Sequence, residues 1–258
     1  MSVRDKVVGI TGAHRGHGRS IAVTFASEGA KLALMDIGSL DQTADECRAY
    51  EGEVLTFQLD LTDPKQVKAA IDQIQQHYGR IDVLVNDAGI VTHFRYAGTE
   101  RWPRIGEMEP DFFDKVIRTN LIGTFHTTRY ALPYMEAQGG GHIINFGQGN
   151  VGHGAHGGPA GAAVYHTSKV AIRAFTQEVA SEELDKNVCV LSFGPGGPGG
   201  DAREQMTPEE VTEAAAKIDR DLGMRVVWAA EAPMELSGRM ILGRGGKLEL
   251  AADEVGAG

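Results

Sequence analysis

Thr11-Gly12-Ala13-His14-Arg15-Gly16-His17-Gly18 is the stretch that decides how the rest of the chain is read. An apolar run, 7–10, leads into it, and a stretch with helical spacing, 19–27, follows it. Glycines at such a junction let the backbone turn tightly and approach a diphosphate with no Cβ in the way. The helix that follows offers unpaired N–H groups and its positive dipole end to the anion. A glycine trio is a weak signal in a chain with 34 glycines. Its place between a first strand and a first helix is what gives it weight. Gly12, His14, Arg15, Gly16, His17 and Gly18 are therefore expected to line a cofactor's phosphates.

Outward from this loop the pattern keeps alternating. Strands are expected at 7–10, 32–35, 54–58, 81–85, 142–146, 188–193 and 240–242. Helices are expected at 19–27, 41–50, 64–78, 112–135 (as one or two), 164–184, 208–218 and 222–230. Strands alternating with helices pair in parallel through right-handed crossovers. The fold class is therefore α/β, a doubly wound Rossmann-type parallel sheet of about seven strands flanked by helices. No linker divides the 258 residues, so a single domain over 1–258 is expected. Ligands of such sheets lie at the carboxyl ends of the strands. The loops after Ile10, Met35, Val85, Phe146 and Phe193 should carry the chemistry.

Composition narrows the field. The chain is 42% hydrophobic, enough for a core, and carries a formal charge of −10. An acidic chain with no basic block is a poor partner for nucleic acid or an anionic membrane. Two cysteines, Cys47 and Cys189, make neither a disulfide framework nor a four-thiolate metal site and read as small buried thiols. No apolar run approaches the roughly 20 residues of a membrane span. The opening MSVRDKVVGI runs straight into a strand pattern, so no leader peptide and a cytoplasmic location are expected.

Asp36 ends the second strand, 18 residues beyond Gly18. A carboxylate there can accept both hydroxyls of an adenosine ribose and repel a 2′-phosphate, which favours NAD over NADP. Arg15 pulls mildly the other way, because a guanidinium could meet that phosphate.

The loop, with three residues between its first two glycines, resembles that of the short-chain dehydrogenase/reductase family. Further segments agree in order. Asp60-Leu61 is similar to the family's adenine-contacting pair. Asn86-Asp87-Ala88-Gly89 is similar to its Asn-Asn-Ala-Gly turn, with Asp87 in place of the second Asn. Asn120 matches the helix asparagine of its catalytic set, and Tyr165-His166-Thr167-Ser168-Lys169 its Tyr-x-x-x-Lys. Pro195-Gly196 matches the turn after strand six. The resemblance implies that Asn86, Ala88, Gly89, Pro195, Gly196 and Pro198 lie near the cofactor. It also implies that Asn120 holds a water linking Lys169 to solvent, and that Lys169 holds the nicotinamide ribose. A homodimer or homotetramer built through the helices at 112–135 and 164–184 is implied as well.

The chemistry can be argued from residue types. Tyr165 and Lys169, four apart on a helix, project from one face. A nearby ammonium, with an oxidised nicotinamide, is expected to lower the phenol from its ordinary value near 10. Tyr165 would then take a hydroxyl proton as hydride leaves, or give one to a carbonyl in reverse.

Two places break the family pattern. The family's serine after strand five is missing, because no Ser or Thr occurs anywhere from 147 to 164. Losing such a preorganised donor commonly costs about 10²–10³ in rate unless another group replaces it. Gln148, at the matching position, is the first candidate, then His153 and Asn150, whose side chains can all donate. His153 and His156 lack a third ligand, so no metal is expected. The second break is Pro195-Gly196-Gly197-Pro198-Gly199-Gly200, where Pro198 and Gly200 replace an aliphatic residue and a nicotinamide-binding Thr. This run reads as the hinge of a substrate region at about 194–220. A long loop, 92–110, adds His93, Arg95, Arg101, Trp102 and Arg104 as possible contacts for an acidic or aromatic substrate.

Three readings stay open at this point. The leading one is an NAD-dependent oxidoreductase interconverting a secondary alcohol and a ketone. A lyase, epimerase or isomerase that uses transient oxidation is the second. A cofactor-binding homologue without turnover is the third.

Overall fold

A computed structural model describes residues 3–90, 103–147, 163–195, 221–244 and 247–250. Within them the strands are β1 Val7–Thr11, β2 Lys31–Asp36, β3 Val54–Gln58, β4 Val83–Asn86, β5 Gly141–Phe146, β6 Val188–Gly194, β7 Met240–Arg244 and β8 Lys247–Leu250. The helices are α1 Gly16–Ser27, α2 Asp41–Arg48, α3 Pro64–Tyr78, α4 Pro110–Ile117, α5 Gly123–Ala137, α6 Ala163–Glu182 and α7 at 221–229. They form one eight-stranded sheet in the order β3-β2-β1-β4-β5-β6-β7-β8. The first seven strands run parallel and β8 returns antiparallel on β7.

The strand interiors read as unbroken apolar runs because both faces are covered. β1, β4 and β6 are buried throughout. One core joins Ile21 and Phe25 of α1, Ala44 of α2, and Leu222 and Val226 of α7 to Ile10, Leu34 and Phe193. The other joins Ile71 and Ile74 of α3, Met135 of α5 and Val179 of α6 to Met35, Leu84 and Val190. Local signals set the ends. Asp63 caps α3 by accepting the N–H groups of Lys65 and Gln66, Pro64 occupies its first turn, and Gly79 ends it at φ 76°. Cys47 and Cys189 are free and buried, and burial pushes both thiols up to about 12. Among the described residues no helix is long and apolar enough to cross a membrane.

Two expectations are refined. β8 is an added edge strand whose Lys-Leu-Glu-Leu was too short and polar to stand out. The helix expected over 112–135 begins at Pro110 and is interrupted by a π-turn, Arg118–Ile122, in which Asn120 is wholly buried. Such a bulge adds a residue to the turn and redirects a side chain, often at a functional site.

Asn86 ties the layers together at the carboxyl ends of the strands. Its Nδ2 donates to Asn145 Oδ1 at 2.9 Å and Thr128 Oγ1 at 3.3 Å, and its Oδ1 accepts from Thr127 Oγ1 at 2.7 Å. Asn145 passes the network to α6 through Thr176 at 3.0 Å. All of these groups are buried. Asn86→Ala removes the donor to Asn145 Oδ1 and Thr128 Oγ1 and should lower stability by about 2–4 kcal/mol. Urea unfolding followed by circular dichroism checks this, and a loss under about 0.5 kcal/mol would contradict the role given to the network.

Candidate active site

The sheet order reverses between β1 and β4, which both lie at its centre and align Thr11 with Asn86. In sheets of this kind a ligand crevice lies at the switch point, beyond the carboxyl ends of these two strands. The β1–α1 loop forms one wall and the turn 86–90 the other. Thr11 Oγ1 joins them by accepting the Ala88 N–H at 3.1 Å. Gly12 has φ +75°, and a Cβ there would lie 2.8 Å from the Ala88 Cα. A Cβ on Gly18 would overlap the Gly12 carbonyl. No other residue fits these two places. α1 starts with extended Arg15 at its N-cap, whose side chain makes no cap, and the helix's first N–H groups and positive dipole end suit an anion. This cradle fits a diphosphate.

Asp36 stands at the end of β2 beside the loop. Its Oδ2 accepts the His14 N–H at 3.0 Å and its Oδ1 the Gly38 N–H at 2.8 Å. Each oxygen keeps a lone pair for a further donor. Asp60 is partly exposed, and its Oδ1 accepts the Thr62 N–H at 2.8 Å. The Leu61 carbonyl is held by His126 Nδ1 at 2.8 Å.

The far end of the crevice is built by α6 and the π-turn. Lys169 is buried, and its Nζ donates to the Phe146 carbonyl at the end of β5 at 2.6 Å. The same nitrogen lies 5.9 Å from the centre of the Tyr165 ring. Asn120 Oδ1 accepts the Ile90 N–H at 2.7 Å, and its Nδ2 donates to Ser168 Oγ at 3.0 Å. Ser168 in turn donates to the Tyr165 carbonyl at 2.7 Å. Gly89 passes so close to Asn120 Oδ1 that a Cβ would stand 3.2 Å from it. Asn120 thus fastens the turn after β4 to the helix that carries the phenol.

The electrostatics of the protein alone add an effect that the sequence does not show. Burial pushes the Tyr165 phenol up to about 12, and the Asp87 carboxylate adds to the rise. Burial pushes the Lys169 ammonium down to about 8, with Asp87 opposing. The protein alone therefore keeps the phenol protonated. Stabilising a phenolate here needs a further positive charge near the ring, such as an oxidised nicotinamide. Sequence reasoning noted Asp87 only as a departure. Its significance lies in its place at the end of β4, where its charge is felt by both groups. Ser168 was also missed, although it sits three residues along one helix turn from Tyr165.

Tyr165, Lys169, Asn120, Gly12, His14, Arg15, Gly16, His17, Gly18, Asp36, Asp60, Leu61, Ala88, Gly89 and Pro195 all lie on the carboxyl side of the sheet or in the loops leaving it. Asn86 is the exception in kind: its side chain is spent on the α5 network, so it holds the wall rather than facing the crevice. Gln148, Asn150, His153, His156, Gly196, Pro198, most of the loop 92–110 and the helix expected at 208–218 lie outside the described residues. Arg104 is described and exposed, and its backbone N–H is capped by Glu107 at 3.1 Å.

Comparison with known proteins agrees with this architecture. The short chain dehydrogenase family model matches residues 6–211, so the chain belongs to that family of oxidoreductases. It is 35% identical over 217 residues to the 3-oxoacyl-acyl-carrier-protein reductase FabG of Thermotoga maritima, covering 83% of this chain and 82% of that one. A short-chain dehydrogenase/reductase of Burkholderia xenovorans superposes with TM-score 0.76 at 28% identity, over 95% of this chain and 97% of that one. A 7α-hydroxysteroid dehydrogenase solved with NADH and a 7-oxo bile acid conjugate superposes with TM-score 0.75 at 25% identity, over 95% of each chain.

Replacing Asp87 by Asn removes the carboxylate that holds both values up. In an NMR titration of the lysine Nζ groups, Lys169 should titrate near 8 in the unaltered chain and lower in Asp87→Asn. An unchanged midpoint would remove Asp87 from the electrostatics of the site.

Proposed function

We propose that this chain is an NAD(H)-dependent oxidoreductase that interconverts a secondary alcohol and a ketone by hydride transfer. The observation that carries the reading is the convergence of Tyr165, Lys169 and Asn120 at the end of a crevice whose other end is a cradle for a diphosphate. Gly16, Gly18 and the backbone of Arg15 and His17 would hold the phosphates, with Gly12 shaping the turn and His14, whose N–H goes to Asp36, bracing it. Asp36 would take the adenosine ribose, with Asp60 and Leu61 near the adenine. Ala88, Gly89, Pro195, Gly196 and Pro198 would lie along the nicotinamide half. When bound, NAD accepts or supplies the hydride.

The chain's own groups handle the proton. Tyr165 Oη gives a proton to the carbonyl oxygen during reduction, or takes one from the alcohol during oxidation. Lys169, held on the Phe146 carbonyl, places a positive charge beneath the phenol and holds the nicotinamide ribose. Asn120 keeps Tyr165 and the turn after β4 in register. Gln148, with His153 as second choice, is proposed to supply the donor that the family's serine normally provides. The comparisons support carbonyl chemistry by name: one relative is a 3-oxoacyl reductase and one neighbour holds NADH beside a 7-oxo compound. NAD rather than NADP rests on Asp36.

The chain is proposed to work as one unit, with about 194–220 receiving the substrate. It is proposed to work in the cytoplasm as a homodimer or homotetramer. Exposed Phe125 on α5, edge-on to Phe175 of α6 with ring centres 6.4 Å apart, supports pairing through those two helices.

Tyr165→Phe should lower turnover by about 10²–10⁴ with dinucleotide affinity preserved. Stopped-flow rates and calorimetric binding test this, and retained turnover would refute the proton role. The pH dependence has a definite sign. Reduction uses the protonated phenol, the form present below its pKa, so its rate falls as pH rises through that value. Oxidation uses the phenolate, which an oxidised nicotinamide stabilises, so its rate rises at a lower pH than that at which reduction falls. Initial rates in both directions across neutral and alkaline pH check it, and parallel profiles would contradict it.

A further inference from the structure

Residue His14 is fixed on every side. Its N–H goes to Asp36 and its ring Nδ1 meets the Ser39 carbonyl at 2.5 Å. Its own carbonyl accepts Arg19 Nη2 at 2.6 Å. The preceding carbonyl, of Ala13, accepts Thr43 Oγ1 at 2.8 Å, and that hydroxyl also reaches the His14 carbonyl at 3.3 Å. Arg19 Nε donates to the same hydroxyl at 3.1 Å, and Glu46 lies 3.7 Å from Arg19 Nη1. Thr43 is wholly buried. Arg19, Ser39, Thr43 and Glu46 are not among the residues assigned above to cofactor or substrate, yet they fix the loop between Gly12 and Gly16.

The consequence follows from the geometry of a trans peptide, and the described chain has no cis bonds. The carbonyl and the next N–H point in opposite directions. Turning the His14 carbonyl onto the Arg19 and Thr43 side chains therefore turns the Arg15 N–H away from them; Arg15 and Gly16 are exposed. Turning the Ala13 carbonyl onto Thr43 sends the His14 N–H to Asp36. We infer that Arg19 and Thr43 are positioning residues for dinucleotide binding, holding the His14 and Ala13 carbonyls so that the Arg15 N–H at the start of α1 faces the diphosphate. The inference deepens the proposed function and rests on a dinucleotide occupying this cradle. It also gives Asp36 two separable duties: a charge at the ribose, and an acceptor that anchors His14.

The test uses the full chain with NAD, NADP and ADP as calorimetric probes. Arg19→Met and Thr43→Val should each weaken NAD and ADP about tenfold, the effect of removing one or two hydrogen bonds. In Arg19→Met the ratio of NAD to NADP affinity should stay fixed, because Arg19 holds neither Asp36 nor the peptide that donates to it. The KM for dinucleotide should rise while kcat at saturation stays within about twofold. Arg19→Lys and Thr43→Ser, which keep a donor, should recover most of the affinity. Thermal melting identifies any variant that fails to fold, and the other member of the pair then carries the test. Unchanged NAD affinity in folded variants overturns the inference, as does a fall in kcat with KM unmoved. No dinucleotide binding by the unaltered chain overturns the underlying reading, and this inference with it.

Discussion

The site depends on one buried cation. Lys169 is almost wholly out of water, and a desolvated ammonium is costly unless an acceptor meets it. The Phe146 carbonyl does so at 2.6 Å, which ties a side chain of α6 to the last residue of β5. Burial still drives the ammonium down to about 8, near neutral pH. A charge held so marginally responds to its neighbours. Asp87 favours its charged form, and the phenol one helical turn away feels the same carboxylate.

Much of the surrounding structure keeps those groups in place. The topological switch opens the crevice between β1 and β4. The Asn86 network locks the ends of β4 and β5 to α5 and α6. Asn120, turned inward by the π-turn, fastens the wall after β4 to Ser168 and so to the backbone of Tyr165. At the opposite end Arg19 and Thr43 brace the glycine loop against α2. The two ends are joined through Thr11, whose hydroxyl holds Ala88 while its strand carries the loop.

The sequence was legible where a pattern repeats or a residue type has few uses. Seven strands and their alternation with helices could be read because buried parallel strands are continuous apolar runs. Gly12 and Gly18 could be read because only glycine suits their positions. The Tyr165–Lys169 spacing placed both on one helix face. Other features were hidden because they depend on contacts between distant segments. The π-turn has no sequence mark in Arg118-Thr119-Asn120-Leu121-Ile122. The inward turn of Asn86 depends on Thr127 and Thr128, over 40 residues away. β8 is short and half polar. The expected depression of the Tyr165 phenol took in the ammonium and an oxidised nicotinamide but not the burial, which is the largest effect in the protein alone.

The account reduces to a phenol that the folded chain keeps protonated and that ionises only when positive charge arrives beside it. Ultraviolet difference titration of the tyrosines, with and without saturating oxidised dinucleotide, tests this most directly. The account predicts no tyrosinate from Tyr165 until about pH 12 in the protein alone. With the dinucleotide, one tyrosinate should appear well below that pH, and it should be missing in Tyr165→Phe. Superimposable curves with and without dinucleotide, from a protein that demonstrably binds it, would contradict the account.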